Sequence, residues 1–96
     1  MNKYEIMFIV RPDLEEANIK GVLDSAKDIL ESKGAKVLEV KEMGQRELAY
    51  EINKYKTGYY FLVVIESNNN DATVEFDRVA LINENIIRHL IVKVEE

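Results

Sequence analysis

The sequence predicts an α+β fold, on three observations. Two short apolar runs rich in β-branched and aromatic residues, Tyr4–Val10 and Tyr59–Ile65, have the length and composition of strands. Between them, Ile19, Val22, Leu23, Ala26, Ile29 and Leu30 recur at the spacing of one helix face. The chain has 96 residues, which is a one-domain length, and its 47% hydrophobic content is enough for one core and too rich for a disordered segment. A single domain over residues 1–96 is therefore expected.

The first strand, Tyr4–Val10, ends at Arg11-Pro12, where a proline without an N–H cannot continue a ladder. Asp13 follows as an expected N-cap, with Glu15 and Glu16 in the first helical turn, where negative charge complements the helix dipole. Lys20, Asp24, Lys27, Asp28 and Glu31 fall opposite the apolar stripe and read as a solvated face. Gly34, after Ser32-Lys33, is placed to end the helix as its C′ residue.

Val37–Ile52 reads as a long strand in which Gly44 marks a bulge or bend. Asn53–Gly58 is polar and turn-like, and Tyr59–Ile65 is the next strand. Ser67–Asp71 is a loop and cap. A second helix is expected over about Ala72–Leu81, burying Phe76, Val79 and Ala80, and Ile86–Val94 is the last strand. The order β-α-β-β-α-β in one domain predicts a ferredoxin-like fold, a four-stranded antiparallel sheet with both helices on one face.

In that topology the first and third strands are central, and both are apolar on both sides. Ile6, Phe8 and Val10 alternate with Met7 and Ile9, while Phe61, Val63 and Ile65 alternate with Tyr60, Leu62 and Val64. A stripe of Met7, Ile9, Tyr60, Leu62 and Val64 is then expected on the helix-free face, where an exposed apolar patch marks a contact surface; the opposite assignment of faces gives an equally apolar stripe, and central strands apolar on both faces also occur in stable sheets without a partner. Met7, Ile9, Tyr60 and Leu62 are accordingly the candidate partner-binding residues.

Material for catalysis is nearly absent. There is no cysteine, so thiol chemistry and thiolate metal sites are excluded. His89 is the sole histidine and reads as a half-buried strand residue, so no multi-histidine metal site can form. Ser25, Ser32 and Ser67 lack a nucleophile-elbow context, and the four isolated glycines make no phosphate-binding loop. No enzyme activity, metal, cofactor or small-molecule ligand is expected. No run approaches the length of a helical membrane span, and Met1–Pro12 lacks a signal-peptide pattern, so no membrane partner is expected; the lack of cysteine is compatible with a cytoplasmic protein.

The net charge of −5 argues against a general nucleic-acid binder when taken as a sum. Its distribution reads differently. Residues 13–35 carry −3 and residues 66–96 carry −4, whereas residues 36–60 carry +1. Within that middle region, Arg46, Tyr50, Lys54, Lys56, Tyr59 and Tyr60 interleave bases and aromatics, the combination that suits RNA phosphates and unpaired bases. With no bulge between them, Arg46 and Tyr50 share a strand face; the same pattern also fits solvated bases around a core tyrosine. Thr57–Val63 loosely resembles the glycine-aromatic strand of RNA-recognition domains but lacks that motif's aromatic companion on the first strand. A stand-alone single-stranded RNA-recognition module is the alternative reading.

Tyr4-Glu5, the series Gly44, Arg46, Leu48-Ala49-Tyr50, Ile52, Lys54 and Gly58-Tyr59, and Asn85 before Arg88 together resemble the bacterial small-subunit ribosomal protein S6 family over essentially the whole chain. The resemblance implies a non-catalytic constituent of the small ribosomal subunit that binds the central domain of 16S rRNA together with ribosomal protein S18. It also implies that Lys3, Arg46 and Lys54 stand where relatives present bases to RNA, with Arg88 and the neighbouring Lys56 as further candidates. Tyr50 then anchors the strand that presents them. Glu47 and Glu51 depart from the family pattern, standing where relatives often carry a base and a proline, and Asn2 stands where some are basic. Glu95-Glu96 reads as the stub of the acidic tail some relatives carry. Fewer bases predict a weaker, less salt-sensitive RNA contact that leans on the partner protein.

Overall fold

The strands and helices fall in the predicted order in the computed structural model, which describes residues 2–52 and 54–94. They are β1 (Asn2–Val10), α1 (Glu16–Ser32), β2 (Lys36–Ile52), β3 (Tyr55–Ser67), α2 (Asp71–Ile82) and β4 (Ile86–Val94). The sheet order is β2-β3-β1-β4 and every pairing is antiparallel, which is the ferredoxin-like βαββαβ topology with both helices on one face.

One face of the sheet and the two helices share the core. Tyr4, Ile6, Phe8 and Val10 of β1 meet Phe61, Val63 and Ile65 of β3, Ile19, Val22, Leu23, Ala26 and Leu30 of α1, and Phe76 and Ala80 of α2. Phe8 is central to it, its ring 5.4 Å from Phe61 and 5.8 Å from Phe76, within the range of favourable aromatic pairs. On β4, Ile91 pairs opposite Ile6 and joins the core's margin. His89 pairs opposite Phe8 and is half-buried as expected. Its Nε2 lies 2.6 Å from Asp77 Oδ1 and its ring stands edge-on to Phe76, so it ties β4 to α2.

Two helix-end expectations separate. Gly34 does end α1: it has φ +87°, its N–H donates to Glu31 O, and the Ala35 N–H donates to Leu30 O, which is the Schellman arrangement. Asp13 does not begin it. Glu15 holds the N-cap position with no side-chain cap, because Arg11 engages the Asp13 carboxylate in a two-pronged pair at 2.7 and 2.8 Å. A charged fork two residues away wins the carboxylate over backbone N–H groups.

The β2–β3 hairpin departs most from expectation. β3 begins at Tyr55, so the turn-like stretch Asn53–Gly58 is mostly strand. Ile52 pairs with Tyr55, and Lys54 sits in the connection with φ +71°, a left-handed conformation that a non-glycine residue seldom adopts. Gly44, with φ +81°, lies at a register shift between Glu42 and Gly44, as its isolation in the strand suggests. A larger irregularity follows: pairing jumps from Glu47–Thr57 to Ile52–Tyr55, leaving Leu48–Glu51 opposite Lys56 alone.

Candidate nucleic-acid and partner interface

The helix-free face is built by the other side chains of the same strands. From the pairing register, β1 contributes Lys3, Glu5, Met7 and Ile9, β3 contributes Lys56, Gly58, Tyr60, Leu62 and Val64, and β4 contributes Arg88, Leu90 and Val92. Met7 pairs with both Leu62 and Leu90, so these three form one apolar row across the middle of the sheet. Leu90 and Val92 are 53% and 46% exposed, while Met7, Tyr60 and Leu62 are half-buried.

The expected stripe needs one correction. Ile9 and Val64 are buried, at 4% and 9% exposure, so Ile9 offers a partner little surface. Gly58 is one cause: a β-carbon there would collide with Ile9 Cγ2, and its absence lets the isoleucine settle against the neighbouring strand. The other is the unpaired stretch of β2, whose Leu48, Ala49 and Ile52 line a hollow of about 200 Å³ together with Met7, Ile9, Tyr60 and Leu90.

That stretch bulges over the face. β2 and β4 are opposite edges, three strand spacings and so about 14 Å apart. Yet the Tyr50 ring lies against the Arg88 guanidinium at 5.7 Å, and Arg88 Nη1 donates a hydrogen bond to the Tyr50 hydroxyl. The segment 48–51 therefore bulges inward over the face as a short strap, and the long side chains of Tyr50 and Arg88 bridge the rest of the distance between the two edges. Arg46 and Tyr50 do not share a regular strand face, because the irregularity after Glu47 breaks the alternation between them. Nor is Tyr50 a core residue, being 59% exposed.

The predicted bases divide into two groups. Arg46 pairs opposite Gly58, Lys56 lies two residues before Gly58 on the same strand, Lys54 is at the hairpin tip, and Arg88 pairs opposite Ile9. All four are exposed at one end of the sheet, and none makes an ion pair among the described residues, whereas Arg11, Lys27, Lys33, Lys41 and Arg78 all do. Lys3 is apart from them. It sits six residues before Ile9, about 20 Å along β1, beside Glu66 on β3. The structure thus brings Arg46, Lys54, Lys56 and Arg88 together and leaves Lys3 at the far end next to a carboxylate.

Leu90 and Val92 belong to this face although sequence reasoning did not select them. Alternation of Arg88, Leu90 and Val92 with His89 and Ile91 was the available signal, once Ile91 is assigned inward. The Tyr50–Arg88 contact, 38 residues apart in sequence, carried no local signal. Among the described residues there is no cluster of His, Asp or Glu arranged to hold a metal, and no helix long and apolar enough to cross a membrane. Glu95 and Glu96, read as an acidic stub, lie outside the described residues.

Comparison with known proteins agrees with this architecture. A family model described as ribosomal protein S6 matches residues 3–93. Among solved structures, 30S ribosomal protein S6 from Thermotoga maritima is similar at a TM-score of 0.92 and 28% identity, over 97% of this chain and 87% of that one. With the match spanning all six elements but for the end residues Asn2 and Val94, the chain belongs to the ribosomal protein S6 family and is a ribosomal protein, not an enzyme.

Proposed function

We propose that this protein binds the central domain of 16S rRNA cooperatively with ribosomal protein S18, as a structural constituent of the small ribosomal subunit in the cytoplasm. The observation that carries the reading is the composition of one face. A partly exposed apolar row of Met7, Leu62 and Leu90 runs into a set of bases, Arg46, Lys54, Lys56 and Arg88, with which no acidic side chain forms an ion pair among the described residues. An apolar row suits a protein partner, and exposed bases suit phosphate. Four bases on a chain of net charge −5 are too few for strong RNA binding alone, so a partner that adds charge and contact area completes the site. Met7, Tyr60 and Leu62 are assigned to the partner side together with Leu90 and Val92. Ile9 supports them from beneath, and Lys3 is an outlying RNA contact.

Reconstitution with S18 and a fragment of the 16S central domain tests this. The isolated chain should bind the fragment weakly and join it readily when S18 is present. An Arg46→Ala, Lys54→Ala double variant should assemble at least tenfold more weakly, with a shallower dependence on salt because about two phosphate contacts are lost. Equal RNA binding with and without S18 sinks the cooperative reading, and unchanged assembly of the double variant removes those two residues from the site.

A further inference from the structure

Arg88 stands out among the four bases at this end because it alone is held by another side chain. Its guanidinium lies over the Tyr50 ring at 5.7 Å, and one of its terminal nitrogens donates to the Tyr50 hydroxyl. Arg46 Nε reaches only the carbonyl of Met43, three residues away in its own strand, at 3.3 Å. Lys54 and Lys56 are exposed and make no side-chain hydrogen bond among the described residues.

The contact is an unusual use of a tyrosine. Tyr50 is 59% exposed, so burial does not fix its ring, and the segment that carries it has left the β2–β3 ladder between Glu47 and Ile52. Its hydrogen-bond partner lies on the opposite edge strand. A hollow of about 200 Å³ lies between Leu48, Ala49 and Ile52 and the sheet residues Met7, Ile9 and Leu90. The strap's far anchor is therefore the guanidinium itself.

We infer that Tyr50 is a positioning residue for Arg88: its hydroxyl holds the guanidinium oriented so that the remaining N–H edge is presented to an RNA phosphate. A guanidinium has five N–H donors in a planar fork, and a phosphate takes two parallel ones. With Nη1 engaged by Tyr50, the edge formed by Nε and Nη2 has no partner among the described residues. A free arginine side chain loses rotamer freedom when it grips a ligand, and an arginine already hydrogen-bonded to a tyrosine has lost part of it in advance. The other unpaired bases at the same end, Arg46, Lys54 and Lys56, favour a polyanion over an isolated carboxylate as the ligand.

The inference rests on the RNA-binding reading, and the test has two arms so that the two can fail separately. In the free protein, the Arg88 side-chain nitrogens are observed by NMR. They should exchange and rotate slowly in the wild type and become averaged in Tyr50→Ala, with Tyr50→Phe between, since it keeps the ring and loses the hydroxyl. The second arm measures binding of the 16S central-domain fragment in the presence of S18. Tyr50→Ala should weaken binding about fivefold or more without changing the slope of affinity against salt, whereas Arg88→Ala should reduce that slope by about one phosphate contact. In the Arg88→Ala background, Tyr50→Ala should then have no further effect on RNA affinity, a non-additivity that a merely structural tyrosine would not show. Equal losses from Tyr50→Ala in both backgrounds overturn the inference, as do Arg88 nitrogen signals that ignore Tyr50. Failure of the wild type to bind the fragment with S18 overturns the RNA reading itself, while the nitrogen signals still report the contact.

Discussion

The two faces of the sheet are almost equally apolar in sequence and opposite in their use. On the helix side Ile6, Phe8, Val10, Val63 and Ile65 are each 0% exposed. On the other side Leu90 and Val92 are about half exposed, and Met7, Tyr60 and Leu62 are partly covered. The same residue types supply stability in one place and available surface in the other. What distinguishes them is the presence of α1 and α2 on one side and of an arched strap, Leu48–Glu51, on the other.

Matched truncations on the two faces should break the symmetry most sharply. Phe8→Ala removes a fully buried ring that stacks on Phe61 and lies tilted against Phe76, and should cost about 3–5 kcal/mol in denaturant unfolding. Leu90→Ala, from a side chain already half exposed, should cost under about 1 kcal/mol in the same measurement while weakening capture of S18. Equal stability losses would mean that the helix-free face is a second core and not a contact surface.

Gly58→Ala comes next in size, because it attacks the point where the helix-free face is closed. The new methyl would meet Ile9 Cγ2 and lie 3.3 Å from the Val10 carbonyl oxygen, so about 1–3 kcal/mol of overpacking is expected. Ile9→Ala in the same chain should recover part of the cost of the glycine replacement, and a double-mutant cycle by chemical denaturation measures how much. Strict additivity of the two changes would remove the steric account of why Ile9 is buried.

The smallest effect lies at neither face, in the loop between β1 and α1. The Arg11 hydrogen bond holds the Asp13 carboxyl below its ordinary pKa, against a weaker opposing effect of desolvation. A depressed folded-state pKa contributes stability above the unfolded value of about 4, and that contribution is lost as pH falls through the folded value. Asp13→Asn should therefore lower stability slightly at neutral pH, converge with the wild type in acid, and so leave the acid limb of a stability-against-pH curve slightly shallower. A steeper acid limb in the variant would contradict the assignment.

Legibility in the sequence follows the range of the interaction. The α1 stripe from Ile19 to Leu30, the Gly34 stop and the Gly44 irregularity are written within one or two turns of chain, and each is present. Asp13 misled because a cap and an ion pair use the same carboxylate, and only the position of Arg11 chooses between them. The turn was read too long because Asn53–Gly58 is polar, but a hairpin tip beyond the sheet is polar on both faces and remains paired. The grouping of Arg46, Lys54, Lys56 and Arg88 without Lys3 needed the register, since it depends on which ends of antiparallel strands meet.

The sequence by itself determined the fold class, the six elements and the absence of cysteines and histidine pairs, which removes thiol chemistry and thiolate or multi-histidine metal sites. Periodicity does this because helix and strand repeats are local properties of the backbone. It also located the basic region inside an acidic chain. Only the tertiary structure decided which apolar face is covered, that Ile9 and Val64 are withdrawn from the other, and that Tyr50 reaches across two strands to Arg88. Those outcomes depend on where distant segments pack, and alternating residues of equal hydrophobicity carry no sign of which side the helices will take.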